Sequence, residues 1–178
     1  SIDAVYYAMR RFKIKRRNSK DANAAAFYLK PLSFNVKTTL TREEEKLKTL
    51  AVGLYWAEGY KTSLAKGIDF ANSDAAMIEV FLSFLRKICG IDERRLRVLL
   101  YCHDAMKVNA HIHYWSSVTK IPVGQFSKPY VMKMTSIKGV GMPHGLIHLR
   151  YSDKKLLDLI RSWIREYAVI GVGGGVVN

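Results

Sequence analysis

The run AVGLYWAEGY, from Ala51 to Tyr60, holds the residues of this chain best placed to do chemistry. On a helix, Gly53 and Ala57 stand four residues apart, so they share one face and leave it without bulk. Such a face lets another helix backbone approach closely. Directly after Ala57 comes a carboxylate, Glu58, and then Gly59, which stops the helix. An acid is ill placed there, because the C-terminal end of a helix is the negative pole of its dipole. A bound divalent cation is the natural compensating group. Mg²⁺ takes carboxylate and phosphate oxygens and needs few protein ligands when a nucleic acid supplies the rest. Other constellations offer less. His111 and His113 fall on different helix faces, His103-Asp104 is an acid/base pair or a surface turn, and His144 sits in a loop between Pro143 and Gly145. The C-terminal Gly-Val-Gly-Gly-Gly lacks the following helix and Lys-Ser/Thr pair of a phosphate loop.

The elements that must position this run are legible on both sides of it. Thr41-Arg42-Glu43-Glu44 is a capping box, and Leu47, Leu50, Ala51, Leu54 and Ala57 recur at helical spacing, predicting a helix from Thr41 to Glu58. Lys61-Thr62-Ser63 and Ile68-Asp69-Phe70-Ala71 read as two short strands joined across Lys66-Gly67. Ser73-Asp74 offers an N-cap to a helix carrying Ile78, Phe81, Leu82, Leu85 and Ile88, ended by Gly90. Leu96 to Tyr101 is a β-rich run, and Val108 to Thr119 is helical until Ile121-Pro122-Val123-Gly124 breaks it. Its Tyr114 and Trp115 are expected to pack on the core. Tyr130 to Met134 and Leu146 to Tyr151 read as further strands. A last helix follows from Asp153, with Leu156, Leu157, Ile160, Trp163 and Ile164 on one side. Helix, two strands, helix, strand, helix, two strands, helix is the order of an α+β domain.

Residues 1–40 read as an irregular basic segment or arm, 41–168 as the domain and 169–178 as a flexible tail. The run Arg10 to Arg17 interleaves Phe12 and Ile14 with basic residues, as a solvated helix face, a phosphate-contacting arm or a strand on DNA would. The small-residue stretch Ala22 to Ala26 follows, with no evident helix-turn-helix pattern.

Charge narrows the partners. Among 178 residues, 29 Lys and Arg face 15 Asp and Glu, a net +14, which points to nucleic acid. An anionic membrane surface is the competitor, but no helix sets a basic face against a long Trp/Phe/Leu face. No stretch nears the ~20 continuous apolar residues of a membrane span, and no signal peptide is legible. The chain opens on Ser1 rather than Met, as a processed or trimmed chain would. Cys89 and Cys102 have no metal-like spacing and suit a reducing compartment. An intracellular place is expected, cytoplasmic or nucleoid-associated, or in an organelle.

The run from Ala51 to Tyr60 resembles the LAGLIDADG motif. It matches that motif's Gly, Leu, Ala and final Gly at Gly53, Leu54, Ala57 and Gly59, with Glu58 at its last acidic position. Ala51 and Val52 replace Leu-Ala, Tyr55 replaces Ile, and Trp56 replaces the first Asp. Ile68 to Asp74 is similar to a strand-to-helix turn of archaeal and bacterial members. The resemblance covers roughly Thr41 to Glu166. It implies an αββαββα domain with an antiparallel saddle sheet on the DNA major groove, here with an extra inserted helix. The implied activity is that of a homing endonuclease, which hydrolyses one phosphodiester bond per DNA strand with metal-activated water. Glu58 with Gly59 would hold Mg²⁺ or another divalent cation, and Lys128 and Lys133 are candidates for an assisting lysine. Gly53, Leu54 and Ala57 would form a homodimer interface. DNA contacts would come from Lys61, Thr62, Ser63, Lys66, Arg95, Arg97, Tyr101, His103, His148 and Arg150.

One motif per chain gives one acid, so cutting both strands of duplex DNA requires a homodimer and a near-palindromic site. The alternatives are a LAGLIDADG-derived DNA-binding regulator or RNA-splicing maturase without cleavage, and a structural RNA-binder. Salt tests the shared premise. With ~6–10 phosphates neutralised, duplex affinity should fall on the order of 10³–10⁵ between about 50 and 200 mM salt. A flat plot of log affinity against log salt contradicts it.

Overall fold

A computed structural model describes residues 1–15, 18–103, 108–132 and 142–171 of the chain. It divides into two compact units, Ser1–Leu32 and Ser33–Asn178. The first unit is not irregular but helical. Helix α1 spans Ile2–Arg11 with Ser1 as N-cap, and α2 spans Ser19–Leu29. Ala4, Ala8 and the Ala22–Ala26 stretch are strong helix formers, and that local propensity outweighed the basic run. Arg10 and Arg11 close α1, and Lys13 has a φ of 50° just beyond it. Arg16 and Arg17 lie outside the described residues.

The second unit begins before Thr41. Residues 33–40 run against the end of a later helix, where Asn35 N donates to Cys89 O at 3.0 Å and Lys37 N to Ile88 O at 2.8 Å. Its elements are α3 (Arg42–Glu58), β1 (Ile68–Asn72), α4 (Ala75–Lys87), β2 (Leu96–His103), α5 (Val108–Thr119), β3 (Tyr130–Met132), β4 (Leu146–Tyr151) and α6 (Lys154–Gly171). The Thr41 capping box is complete, with Glu44 N donating to Thr41 Oγ1 and Thr41 N to Glu44 Oε2. Asp74 caps α4 through Ala76 N at 2.8 Å, and Asp153 caps α6 through Lys155 N at 2.8 Å. Helix α6 runs on past residue 168, and residues 172–178 of the tail lie outside the description.

The four described strands form one sheet in the order β1-β4-β2-β3. β4 pairs antiparallel with β1 and β2, but β3 runs parallel to β2, so the sheet is mixed rather than antiparallel. Helix α5 is the reason. A parallel neighbour needs a crossover, and α5 carries the chain from the end of β2 back to its start. The chain then descends beside β2 through the Phe126–Val98 bridge to Tyr130 opposite Tyr101. Beyond Met132, the remainder of the strand expected from Tyr130 to Met134 is outside the described residues.

Lys61-Thr62-Ser63 forms no strand. Only Gly59 bridges Phe70, with Tyr60 N donating to Asp69 O at 2.9 Å. Beyond that point the chain turns, Ala65 N donating to Thr62 O at 3.0 Å, and Arg161 of α6 donates Nη2 to Lys61 O at 3.0 Å and Thr62 O at 2.7 Å.

One face of the sheet meets the helices. Ile68, Phe70, Leu96, Val98, Leu100, Cys102, Ile147, Leu149 and Tyr151 are buried there with Tyr55, Phe81, Leu85, Trp115, Leu157 and Ile160 from the helices. Trp115 is enclosed as expected and donates Nε1 to His144 O at 2.8 Å. Cys89 and Cys102 are buried and not joined in a disulfide, and no described helix is long and apolar enough to cross a membrane.

Gly59 is needed for space rather than for an unusual φ. It caps α3 in extended backbone at φ −76°, and a Cβ there would stand 2.5 Å from Tyr55 O and 2.6 Å from its ring. Tyr55 is itself fully buried and stacked on Phe81 at 5.4 Å, so neither atom can yield cheaply. Gly59→Ala should therefore destabilise the fold by about 1–3 kcal/mol. A urea melt checks this: the midpoint falls with the slope unchanged.

Candidate functional site

Helix α3 turns two different sides to its surroundings. Ala51, Val52 and Tyr55 are buried against α4 and α6. Leu50, Trp56 and Tyr60 remain 53%, 47% and 52% exposed, with Gly53 and Ala57 exposed between them and Leu54 half-buried. An apolar stripe of large side chains therefore stays uncovered, with a glycine at its middle. A Cβ on Gly53 would meet nothing within 4 Å, so no contact in this chain requires that glycine.

At the end of the helix, Glu58 is exposed, and no described residue hydrogen-bonds or ion-pairs with its carboxylate. The misfit with the helix dipole is met from within the chain. Lys61 turns back and donates Nζ to Trp56 O at 2.5 Å and to Gly59 O at 3.0 Å, a cation on the last free carbonyls. Gly59 O is thus engaged, and Lys61 serves the helix rather than projecting from a strand. Among the described residues no group of three or more His, Cys, Asp and Glu is arranged to hold a metal.

The side of the sheet turned from the helices is the second candidate surface, and it is divided. Its first row, from β1 to β2, is Asp69, Arg150 and Arg97. Asp69 accepts from Arg150 Nε at 2.9 Å and is 2.7 Å from His148 Nδ1. Burial alone would raise the Asp69 carboxyl, but the hydrogen bonds and charges of His148 and Arg150 outweigh it and hold it below its ordinary 3.8. Arg97 folds its Nη1 onto Arg94 O at 2.7 Å and Leu96 O at 2.6 Å, while Arg95 donates to Ser152 O. The second row is Ala71, His148 and Leu99, and the third is Leu146, Tyr101 and Tyr130. The expected alternation of polar and basic residues thus holds at one end only. Lys66 is exposed in the loop before β1, beside an open cleft of about 220 Å³ that it lines with Asp69, Arg150 and Ser152. Thr62 and Ser63 are exposed in the same loop.

Compared with protein-family models, with curated proteins and with solved structures, the chain matches none.

Of the two candidate lysines, Lys128 is not brought to Glu58. Lys128 is exposed beside β3, whereas Glu58 adjoins the β1 edge through the Gly59–Phe70 bridge, so the whole sheet separates them. Three strand spacings of ~4.8 Å make that roughly 14 Å. Lys133 lies outside the described residues, as does Asp104 of the His103-Asp104 pair. The histidines near α5 form a packed group instead. His144 stacks on Tyr114 at 3.7 Å and meets His111 edge-on at 5.8 Å. Burial and the neighbouring His144 lower the His111 pKa, and the Nδ1 atoms of His103 and His111 are buried without a partner among the described residues.

Two features escaped the sequence reading. Asp69 joins His148 and Arg150 across 79 and 81 residues, which no local pattern could signal. Tyr130 reaches Tyr101 only because β3 is parallel.

The Asp69 cluster generates a pH test. A depressed folded pKa contributes stability above the unfolded value, and that contribution is lost as pH falls through the folded value. The stability gap between the parent and Asp69→Asn should shrink as pH falls below about 4. Urea melts across that range check it, and a gap that persists at low pH contradicts the assigned ion pairs.

Proposed function

We propose that the chain is a site-specific double-stranded DNA endonuclease of the LAGLIDADG homing type, working as a homodimer. The observation that carries this reading is the far half of α3. A glycine inside a helix destabilises it by about 0.5–1 kcal/mol relative to alanine, and Gly53 does so without any neighbour in its own chain needing the space. The apolar side chains around it are uncovered, and the stripe leads to a carboxylate that no described residue pairs. A second copy packed on Gly53, Leu54 and Ala57 would bury the stripe and bring two Glu58 carboxylates near a two-fold axis. The net charge of +14 fits a phosphate backbone as the partner.

Glu58 would hold the cation, with the DNA phosphate completing the ligand set. A divalent cation, when bound, activates water and offsets charge on the phosphoryl oxygens. Arg150, held by Asp69, and Lys66 would position the backbone on the sheet side.

A second reading, a DNA-binding regulator or maturase without cleavage, is favoured by Lys61. Its ammonium already sits on Gly59 O, where a catalytic cation would otherwise relieve the helix end.

Three substitutions test the interface and the acid, and cleavage separates the readings. Gly53→Ala should stabilise the isolated chain by about 0.5–1 kcal/mol, and Gly53→Leu should abolish self-association in sedimentation runs. Glu58→Gln should keep dimer and duplex affinity but lose cleavage of a randomised target pool in Mg²⁺. A parent that binds and never cuts leaves the regulator reading. Cutting by Glu58→Gln at the parental rate shows that the acid is misassigned.

A further inference from the structure

We propose that the aromatic end of the open sheet face is a binding site for unpaired nucleobases of a single nucleic-acid strand. The inference rests on reading this face as a nucleic-acid surface, and it concerns the form of nucleic acid that the face takes.

Three rings adjoin across the face from its edge inward. Tyr130 lies 5.1 Å from Tyr101, and Tyr101 lies 4.8 Å from His148, centroid to centroid, with tilts of 44° and 38°. Register puts them there: Tyr130 pairs with Tyr101 across the parallel ladder, and Tyr101 with Leu146 across the antiparallel one. Tyr130 is 57% exposed, a large fraction for a ring on a strand. Half-buried Leu99 and Leu146 complete an apolar floor.

Charge complementarity selects the occupant. Two cations adjoin this floor, Arg150, paired with Asp69 and next beyond His148 on β4, and exposed Lys128 two residues before Tyr130, and the chain carries a net +14, so a polyanion suits the margin of these rings. Arg97 and Arg95, which could have reached inward, are spent on backbone carbonyls. In duplex DNA the base faces are stacked on one another, and a protein reads edges with paired donors and acceptors. Aromatic rings add little to that. A single strand offers free base faces, and each stack on an aromatic side chain contributes regardless of sequence. The centre of this face therefore suits an unpaired base better than a groove.

The test is fluorescence anisotropy of the full chain with labelled single-stranded DNA and RNA 12-mers of one sequence, and with the matching DNA duplex, at one salt concentration. Tyr130→Ala should weaken both single strands roughly tenfold, the loss of about one stack, and leave the duplex unchanged. Tyr130→Phe should keep parental affinity. In the unmodified protein, 2-aminopurine placed in the strand should be quenched on binding, a readout that needs no variant to fold. Duplex bound and cut while single strands are ignored overturns this inference and leaves the endonuclease reading standing. Equal single-strand affinity for the parent and Tyr130→Ala, or no 2-aminopurine quenching, also overturns it. Single strands bound through Tyr130 by a protein that never cuts duplex supports it and removes the endonuclease reading. Failure to bind any of the three removes both.

Discussion

β4 lies between β1 and β2, and everything the sheet offers depends on the register it keeps with both. Its Ile147, Leu149 and Tyr151 are buried against helices, so the alternate residues Leu146, His148 and Arg150 must face the other way. A slip of one residue would exchange the two sets and drive an arginine and a histidine into the apolar core. Burial on one side thus holds the register, and the register in turn sets Arg150 and His148 beside Asp69. Tyr151 adds a polar lock at the end of the strand. Its buried hydroxyl donates to Ser33 O at 2.5 Å, and the Ser33 hydroxyl donates to Asp153, which caps α6. The start of the second unit, the central strand and the last helix meet at that point.

Two glycines near the end of α3 make opposite statements about packing. Gly59 is enclosed by Tyr55, a residue that the core holds rigid, and its lack of a side chain is required by the chain itself. Gly53 is open, in a stripe whose large apolar members are also open. One glycine completes a core, and the other leaves a surface without bulk. Lys61 adds a third element, since its ammonium relieves the helix dipole beside a carboxylate that no described residue pairs. The end of α3 therefore has a cation in reach on its backbone side and a free acid on its solvent side.

The open sheet face is less uniform than its composition suggests. Ions gather in the row of Asp69, Arg150 and Arg97, and rings gather in the row of Tyr101 and Tyr130, with His148 touching both groups. The difference comes from β3. Without a parallel edge strand Tyr101 would lie at the margin of the sheet, and with it Tyr101 becomes the middle of an aromatic row.

What was legible in the sequence is what local physics determines. The bounds of α3 follow from a capping box and a helical period, and those of α4 from an Asp cap. β2 follows from a β-rich run, β4 from the alternation of its apolar residues, and the α+β class from the order of these segments. Glu58 at a helix end and Gly53 on a bare face were visible for the same reason. Other features were decided only in three dimensions. Lys61-Thr62-Ser63 leads into a turn rather than a strand, and the Thr62 carbonyl that closes it, accepting from Ala65 N, also accepts from Arg161, 99 residues further on. The crossover of α5 made β3 parallel, and Lys128 fell at the edge opposite Glu58. Asp69 found its partners some 80 residues away. Local hydrogen bonds and side-chain periods are written within a few residues, whereas strand partners and ion pairs follow from which surfaces bury one another. That choice belongs to the whole chain.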